Sequence, residues 1–341
     1  MQRKKIIGIS LSVLVLLLAV SGYVMYILFA PSAKNAEHHY VYLDRDDTAD
    51  SLYSKLDRAG RAKALPGIRL IKWVKDADSV PTGKYQLNQE DNAWKIYARI
   101  FRGHQTPVRL SVSNARSLEQ LAAKMDKQLM LDSLEIMQVF NDSVVYSGMG
   151  YEKETRLCMV VPNTYEVYWN ISAEALLKRL VKEHDIFWND TRLKKAEAIG
   201  LTPKEVCALA SIVDEESNMS NEKPIIAGLY MNRLRIGMPL QADPTVKFAM
   251  GDAAIRRITR PMLQVESPYN TYIHIGLPPG PIRIASIQGI DGVLNYARHD
   301  YLYMCAKEDF SGYHNFAVSH GQHMRNAQRY WNALNRRKIF K

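Results

Sequence analysis

The residues of this sequence best suited to acid–base chemistry are three consecutive acids, Asp214, Glu215 and Glu216. A carboxyl group can protonate a leaving group near neutral pH if burial raises its pKa by disfavouring the charged form. The acids end a segment that begins with Thr202-Pro203-Lys204-Glu205, where Thr and Glu can form a capping box and Pro takes the first helical position. The sequence therefore predicts that the three acids lie at the C-terminal end of a helix.

The helical phase separates the three acids. Leu209, Ile212 and Val213 recur with Glu216 at helical spacing and share one face, whereas Asp214 and Glu215 point progressively away from it. We therefore expect Glu216 alone to face the core, where apolar neighbours and the negative end of the helix dipole raise its pKa. Spacing alone leaves two interpretations open, a general acid or a structural acid at a helix end.

His320 and His323 stand one helical turn apart, with His314 nearby in the sequence. A metal site is one interpretation, but no carboxylate or thiol accompanies the pair at ligand spacing. We therefore expect these histidines on the surface or in a cleft wall, and we expect no metal and no cofactor.

The N-terminus predicts how these residues are placed relative to a membrane. Residues 6–30 carry no charge and are long enough to cross a bilayer, and the basic residues 3–5 precede them, so the positive-inside rule leaves residues 1–5 cytoplasmic. The alternative is a cleaved signal peptide with a cut near residues 29–33, but the apolar stretch exceeds the usual core of roughly 7–15 residues. The chain is thus predicted to be a single-pass protein of the cytoplasmic (inner) membrane, with its catalytic part extracytoplasmic.

Composition narrows the class of protein further. About 310 residues follow the apolar stretch, enough for two or three subdomains. Cys158, Cys207 and Cys305 are odd in number and widely spaced, which favours small buried residues over a disulfide framework. The net charge of +10 is spread along the chain, although 336–338 is locally basic and could favour an anionic surface. We find no nucleic-acid-binding motif and expect no such partner.

The pattern along the chain predicts an α+β protein. Residues 31–39 are a predicted polar tether, 40–106 a compact α+β module, and 107–341 a larger, mostly helical domain with short strands. Predicted strands are His39–Leu43, Val108–Val112, 301–306 and 314–318, and Gly83–Leu87 is a predicted turn into a short strand. Predicted early helices are 48–59, 68–75, 92–101 and 117–129. Trp94, Tyr97 and Phe101 could hold a polymer, but such a stripe is more typical of a core.

Four longer stretches carry a resemblance to a known family. They are residues 210–217 (ASIVDEES), 231–246 (MNRLRIGMPLQADPTV), 268–272 (PYNTY) and 276–282 (GLPPGPI), with weaker agreement at 162–165 and 314–316. In this order they resemble the MltG (YceG-like) endolytic murein transglycosylases over nearly all of the chain beyond the apolar stretch. The resemblance implies that 40–106 is a LysM-like module that holds glycan and that 107–341 is a YceG-like catalytic domain.

The resemblance also implies an activity. Family members usually have Glu-Lys-Glu where this chain has Asp214-Glu215-Glu216, and the second Glu of that motif, here Glu216, is the catalytic one. It would protonate the glycosidic oxygen and then deprotonate the muramyl 6-hydroxyl, which closes a 1,6-anhydro ring without water. The departures at Asp214 and Glu215 put a catalytic role for those two acids in doubt.

Several polar side chains within the matching stretches suit sugar hydroxyls and N-acetyl groups. We expect some of them to line the cleft: Asn232, Gln241, Asp243, Tyr269, Asn270 and Tyr272. Their alternative role is turn chemistry, and Asp243-Pro244 could simply be an N-cap followed by Pro at the first helical position.

Two other functions stay open. One is a hydrolytic muramidase that uses Asp243 or Asp214 as a second carboxyl, and the other is a non-enzymatic peptidoglycan-binding scaffold. For the favoured enzyme, the expected partners are peptidoglycan glycan strands, the membrane, and peptidoglycan synthases or the division machinery. Its expected task is to terminate or trim nascent strands.

Overall fold

The structure is a computed structural model that describes residues 2–33, 39–76, 79–113, 115–252, 255 and 258–337. Met1 of the predicted tail, residues 34–38 of the predicted tether and Lys338 of the basic C-terminal segment lie outside the described residues. The chain divides into two compact units. Unit 1 comprises Met1–Leu110, Gln128–Met130 and Glu166–Ile171, and unit 2 comprises Ser111–Lys127, Leu131–Tyr165 and Ser172–Lys341.

Unit 1 begins with a long apolar helix and continues as a small α+β fold. Its elements are α1 (Gln2–Phe29), β1 (His39–Leu43), α2 (Ala49–Arg58), α3 (Leu65–Lys75), β2 (Gly83–Leu87) and α4 (Ala93–Phe101), with a 3-10 turn at Ala62–Ala64. Within α1, Ile6–Phe29 has a mean hydropathy of 2.4, and its most apolar stretch is not covered by the rest of the chain. By length and composition this segment fits a membrane span or a signal sequence.

The core of unit 1 follows from strand alternation. Strand β1 pairs antiparallel with β2, with His39 opposite Leu87 and Leu43 opposite Gly83. Val41 and Leu43 point inward onto the helices, whereas Tyr40 and Tyr42 point outward and are exposed. Of the aromatic stripe on α4, Tyr97 and Phe101 pack against this core as expected, whereas Trp94 is exposed.

Unit 2 is mostly helical. Its helices are α5 (Leu118–Asp126), α6 (Ser133–Asn141), α7 (Ser143–Gly148), α8 (Ala173–Phe187), α9 (Asp190–Ala198), α10 (Pro203–Glu216), α11 (Lys223–Arg235), α12 (Asp243–Ala249), α13 (Ile287–Leu294) and α14 (His320–Arg336), with 3-10 turns at Arg156–Met159 and Arg260–Gln264. Strands β5 (Tyr303–Ala306) and β6 (His314–Ala317) form an antiparallel pair. Strands β3 (Val108–Val112) and β4 (Asn163–Val167) also form a two-stranded sheet.

Most predicted elements are confirmed, several with identical bounds. The strands at His39–Leu43 and Val108–Val112 have the predicted bounds, and the predicted turn into a strand at Gly83–Leu87 is a strand throughout. The helix predicted at 117–129 ends earlier, at Asp126, because the following segment turns away and the Met130 amide donates to the Trp169 carbonyl at 2.8 Å. Local signals therefore predict the elements well, and tertiary hydrogen bonds shift their ends.

Helix α10 is central to unit 2. It begins with the predicted capping box, in which the Thr202 hydroxyl accepts from the Glu205 amide and the Glu205 carboxylate accepts from the Thr202 amide. It packs against α11, α12 and α13, and every residue from 206 to 214 is buried. The expectation that Glu216 alone faces the core is wrong, because a helix covered on all sides buries more than one face.

Candidate active site

The candidate active site lies where the end of α10 meets α11. Glu216 is the last residue of α10 and is half-buried, and Tyr230 comes from the middle of α11. The Tyr230 hydroxyl donates to Glu216 Oε1 at 2.9 Å. A carboxyl group is thus held by a buried phenol at the edge of the helical core.

The surroundings of Glu216 change its acidity. Burial is the largest influence and raises its pKa to about 7, while the hydrogen bond from Tyr230 is the strongest opposing effect. His314 and Lys247 also lower the pKa, and the negative charge of Asp243 raises it. Near neutral pH, Glu216 therefore populates both its protonated and its charged form, as a group that alternates between acid and base requires.

Glu216 opens into a pocket of about 270 Å³ within unit 2. The pocket is lined by Glu216, Leu229, Tyr230, Arg233, Leu240, Gln241, Asp243, Tyr272, Met304, Cys305, Ala306 and His314. Hydroxyl, amide, carboxyl, imidazole and guanidinium groups share this lining with aliphatic carbon. Such a mixture suits a ligand that offers many hydroxyl and amide groups.

Three of the predicted substrate-binding residues lie in this pocket: Gln241, Asp243 and Tyr272. The Tyr272 hydroxyl donates to Asp243 Oδ1 at 2.6 Å. The N-cap interpretation of Asp243 is wrong, because α12 begins at Asp243 itself and Ala242 occupies the cap position without a side-chain bond. Gln241 has a φ of +51°, a strained value for a residue with a side chain. Its backbone N–H donates to the Thr271 carbonyl at 3.0 Å.

The other three predicted residues do not line the pocket. Asn232 is buried, and its side-chain amide donates to the carbonyls of His299 (2.6 Å) and Tyr301 (3.1 Å). Asn270 is fully buried, and its side chain closes its own loop by donating to the carbonyls of Leu263 and Val265. Asn270 thus performs the turn chemistry that was the alternative interpretation, whereas Asn232 joins α11 to the distant segment 299–301.

Tyr269 packs beside the pocket-forming segments instead of facing the pocket. Its ring lies 4.7 Å from that of Phe248, centroid to centroid, and burial raises the pKa of its hydroxyl to about 12. A role in binding substrate therefore stays a prediction for Tyr269, as it does for Asn232 and Asn270.

Arg233 and His314 line the pocket but were not predicted as site residues. Arg233 is buried, and its guanidinium donates to the carbonyls of Leu302 (2.7 Å), Leu240 (2.8 Å) and Pro239 (3.1 Å). It thereby joins α11 to the segment before α12 and to the chain entering β5. A basic residue one helical turn from Tyr230 was visible in the sequence, but its carbonyl partners are set by the tertiary fold.

His314 is fixed by a buried carboxylate. The side chain of Glu222 accepts from the His314 amide at 2.7 Å and lies 2.9 Å from His314 Nδ1, and it also accepts from the Ser217 hydroxyl at 2.9 Å. These contacts orient the imidazole in the wall of the pocket. Ser217 directly follows Glu216, so the same network also holds the end of α10.

Asp214 and Glu215 each have partners of their own outside the pocket. Asp214 is 5% exposed, forms a buried ion pair with Lys223 and accepts from the Ser286 amide (2.6 Å) and hydroxyl (2.7 Å). Glu215 pairs with Arg116 at 2.5 Å and with Arg283 at 2.6 Å. Both carboxylates are engaged in structural contacts, which leaves Glu216 as the acid of the run that faces the pocket.

The two histidines of α14 and the three cysteines lie in different surroundings. His320 and His323 pack around the ring of Tyr303, and the described residues contain no group of three or more His, Cys, Asp or Glu side chains placed to hold a metal. Cys158 and Cys207 are buried as expected, whereas Cys305 is half-buried and lines the pocket.

Comparison with known proteins identifies the family. Residues 41–329 match the YceG-like family, so the chain belongs to it. Over 201 residues it is 30% identical to the endolytic murein transglycosylase of Bacillus subtilis strain 168. The aligned region covers 57% of this chain and 53% of that protein. Over 168 residues it is 29% identical to the endolytic murein transglycosylase of Streptococcus pneumoniae R6, covering 47% of this chain and 29% of that protein. The chain thus spans about half or less of the length of these relatives.

A solved structure supports the fold. The crystal structure of a yceG-like protein from Listeria monocytogenes superposes with a TM-score of 0.57 at 23% sequence identity. The match covers 85% of this chain and 99% of that one. The likeness therefore extends over most of the helix-rich α+β architecture described above.

Proposed function

We propose that this chain is an endolytic peptidoglycan lytic transglycosylase, which cleaves the β-1,4 bond between MurNAc and GlcNAc and leaves 1,6-anhydroMurNAc ends. The observation that carries the proposal is Glu216, a carboxyl with a pKa near 7 that faces a polar pocket in a member of the YceG-like family. Relatives in this family bear the name endolytic murein transglycosylase. Ordinary glycosidases need two carboxyls, whereas internal ring closure needs one acid/base group.

The proposed reaction uses Glu216 twice. In its protonated form it gives its proton to the glycosidic oxygen as the bond to the muramyl C1 breaks, and the bonding electrons stay with the leaving oxygen. The carboxylate then removes the proton of the muramyl 6-hydroxyl, whose oxygen bonds to C1 and closes the anhydro ring. Glu216 ends the cycle protonated, and no water is consumed.

Two neighbours of Glu216 support this cycle. The Tyr230 hydroxyl donates to the carboxyl and stabilises its charged form between the two proton transfers. His314, oriented by Glu222, adds a group whose positive form also favours the carboxylate. Together they keep the pKa of Glu216 near neutrality despite its burial.

The hydrolytic muramidase remains the second candidate, because Asp243 lines the same pocket as Glu216. Asp214 is a poor second carboxyl, since it is buried in an ion pair with Lys223. The Tyr272 hydroxyl occupies one oxygen of Asp243. An Asp243 that activates water would give reducing muramyl ends in place of anhydro ends.

The products of intact glycan strands test the proposal. We expect the purified chain to give strands with anhydroMurNAc ends, and early in the reaction to give fragments of intermediate length, as internal cleavage requires. Release of disaccharides from strand ends from the start would contradict endolytic action. Binding of strands without any cleavage would support the scaffold interpretation instead.

The variant Tyr230→Phe tests the proposed tuning of the acid. It removes a hydrogen bond that lowers the pKa of Glu216, so this pKa should rise further. Cleavage requires the protonated acid, so activity is lost as pH rises through that pKa. The alkaline limb of the pH–activity curve should therefore move to higher pH. The pH profile of kcat/KM measures this shift, with Tyr146→Phe outside the pocket as the control. An unchanged limb, or one moved to lower pH, would refute the proposed role of Tyr230.

We also propose that unit 1 contains the LysM-like glycan-holding module at 40–106. Its strand–helix–helix–strand order and an exposed aromatic surface on β1 support this assignment. On this surface Tyr42 packs edge-on against Trp169, with centroids 5.1 Å apart, and Lys84 lies 4.0 Å from the ring centre of Tyr40. The surface borders a groove of about 450 Å³ that also includes Lys55. Aromatic faces beside polar groups suit the alternating apolar and hydroxyl faces of sugar rings.

The variant Tyr42→Ala is expected to weaken strand binding. Each well-placed aromatic contact contributes about 0.5–1.5 kcal/mol, which predicts roughly 2-fold to 12-fold weaker binding. The measurement is the Kd for soluble glycan strands, made in a Glu216→Gln background so that cleavage does not interfere. Trp331→Ala removes an exposed aromatic residue of unit 2 and is the matched control. Equal affinities of the two variants would show that the β1 surface does not hold glycan.

We further propose that α1 anchors the chain in the cytoplasmic membrane, with residues 1–5 cytoplasmic and the catalytic domain outside. The support is an apolar segment of sufficient length together with the basic residues that precede it. Such an enzyme would meet glycan strands as they are made and could terminate or trim them. Peptidoglycan synthases and the division machinery remain its predicted partners.

A further inference from the structure

The end of α1 packs closely against the other helices of unit 1. Gly67 on α3 lies so close to Ile27 that a Cβ at this glycine would overlap the Ile27 carbonyl oxygen. On the side of α4, Asn92 Nδ2 donates to the Phe29 carbonyl at 3.4 Å, and the Ser32 amide donates to the Asp91 carbonyl at 3.0 Å. The position of α3 along α1 is therefore fixed by close contacts.

The sequence of α1 marks the outer membrane surface on the same helix. A span of about 20 residues from Ile6 reaches the region of Met25. Tyr23 and Tyr26 are exposed at this level, and tyrosine is enriched where a membrane helix meets the headgroups. Ile27 follows directly, so the contact with Gly67 places α3 within about one helical turn of the membrane surface.

Helix α3 has the composition of a helix that lies on a membrane. Trp73 is 80% exposed and Val74 is 64% exposed, although both are large and apolar. Basic residues flank them on the same helix and on the turn before it: Lys63, Arg69, Lys72 and Lys75. Exposed Trp beside Lys and Arg is typical of helices that bind the headgroup region of anionic membranes.

We propose that α3 rests on the outer leaflet, with Trp73 and Val74 among the lipid headgroups and the flanking basic side chains against anionic lipid. Trp73 is six residues from Gly67, so its height above the membrane differs from that of the Ile27 contact by at most about 9 Å. This inference rests on the proposed anchoring by α1 and is independent of the chemistry at Glu216. It gives unit 1 a second membrane contact.

Tryptophan quenching tests the contact on the full-length chain. The chain is placed in nanodiscs that contain anionic lipid, with brominated lipid as the quencher, and each of its five tryptophans is replaced singly by Phe. We expect Trp73→Phe to remove more of the lipid-dependent quenching than any other single replacement. Trp331→Phe is the matched control, because Trp331 is also exposed (47%) but lies on α14 in unit 2.

The outcomes separate this inference from the anchoring itself. A chain that enters nanodiscs but keeps its full quenching in Trp73→Phe would overturn the α3 contact and leave the anchor intact; Trp73 would then face a protein or glycan partner. A chain that does not enter nanodiscs would overturn both. The double variant Lys72→Gln, Lys75→Gln gives a second readout, since it should reduce the increase in Trp73 quenching that anionic lipid produces.

Discussion

Replacing Glu216 with Gln is expected to reduce strand cleavage by at least roughly 10³-fold, because the same side chain supplies the proton and later removes one. Gln keeps the shape of the side chain and can still accept the hydrogen bond from Tyr230, so the fold should be preserved. The measurement is the rate of new strand ends formed from intact glycan, with thermal unfolding as a check on folding.

The neighbouring acid supplies the matched control. Glu215→Gln makes the same chemical change one residue earlier, at a carboxylate that pairs with Arg116 and Arg283. Cleavage by this variant should stay within about tenfold of the wild type, since surface and half-buried ion pairs contribute little. If both variants lost activity equally, or if Glu216→Gln retained it, the assignment of Glu216 as the acid/base would fail.

Replacing Lys223 with Met should lower the free energy of unfolding by roughly 3–5 kcal/mol, more than any other variant proposed for this chain. The reason is that it leaves the buried carboxylate of Asp214 without its counter-charge. The two hydrogen bonds from Ser286 would remain but cannot replace a full positive charge. The free energy of unfolding from denaturant titration measures the effect.

Two further variants test whether the loss of stability comes from the unpaired charge of Asp214. Arg179→Met breaks a half-buried i,i+4 pair with Glu183 on the surface of α8 and should lower the free energy of unfolding by about 0.5 kcal/mol. Adding Asp214→Asn to Lys223→Met should restore part of the stability, because the buried charge is then gone. A Lys223→Met loss as small as that of Arg179→Met would mean that the ion pair does not stabilise α10.

The elements that position the site could be predicted because their signals are local. The capping box from Thr202 to Glu205 and the strand His39–Leu43 depend on residues a few positions apart, and both are confirmed. Helical phase could not predict that Asp214 is buried, because α10 is covered on all sides there and the partner of Asp214, Lys223, lies on another helix.

The pocket was harder to predict because its lining is assembled from distant segments. His314 comes nearly a hundred residues after Glu216, and its orientation depends on Glu222, which no periodicity connects to it. Asn232 and Asn270 have a suitable chemical type, but backbone carbonyls already occupy their side chains. Residue type thus indicated candidates, and only the tertiary fold decides which of them line the pocket.

The most direct test of the account is cleavage in water labelled with heavy oxygen, followed by mass analysis of the new strand ends. We predict anhydroMurNAc ends that are one water lighter than hydrolysed ends and carry no label, because the muramyl 6-hydroxyl closes the ring. Reducing muramyl ends that carry one heavy oxygen atom would contradict the account and assign the reaction to a hydrolase.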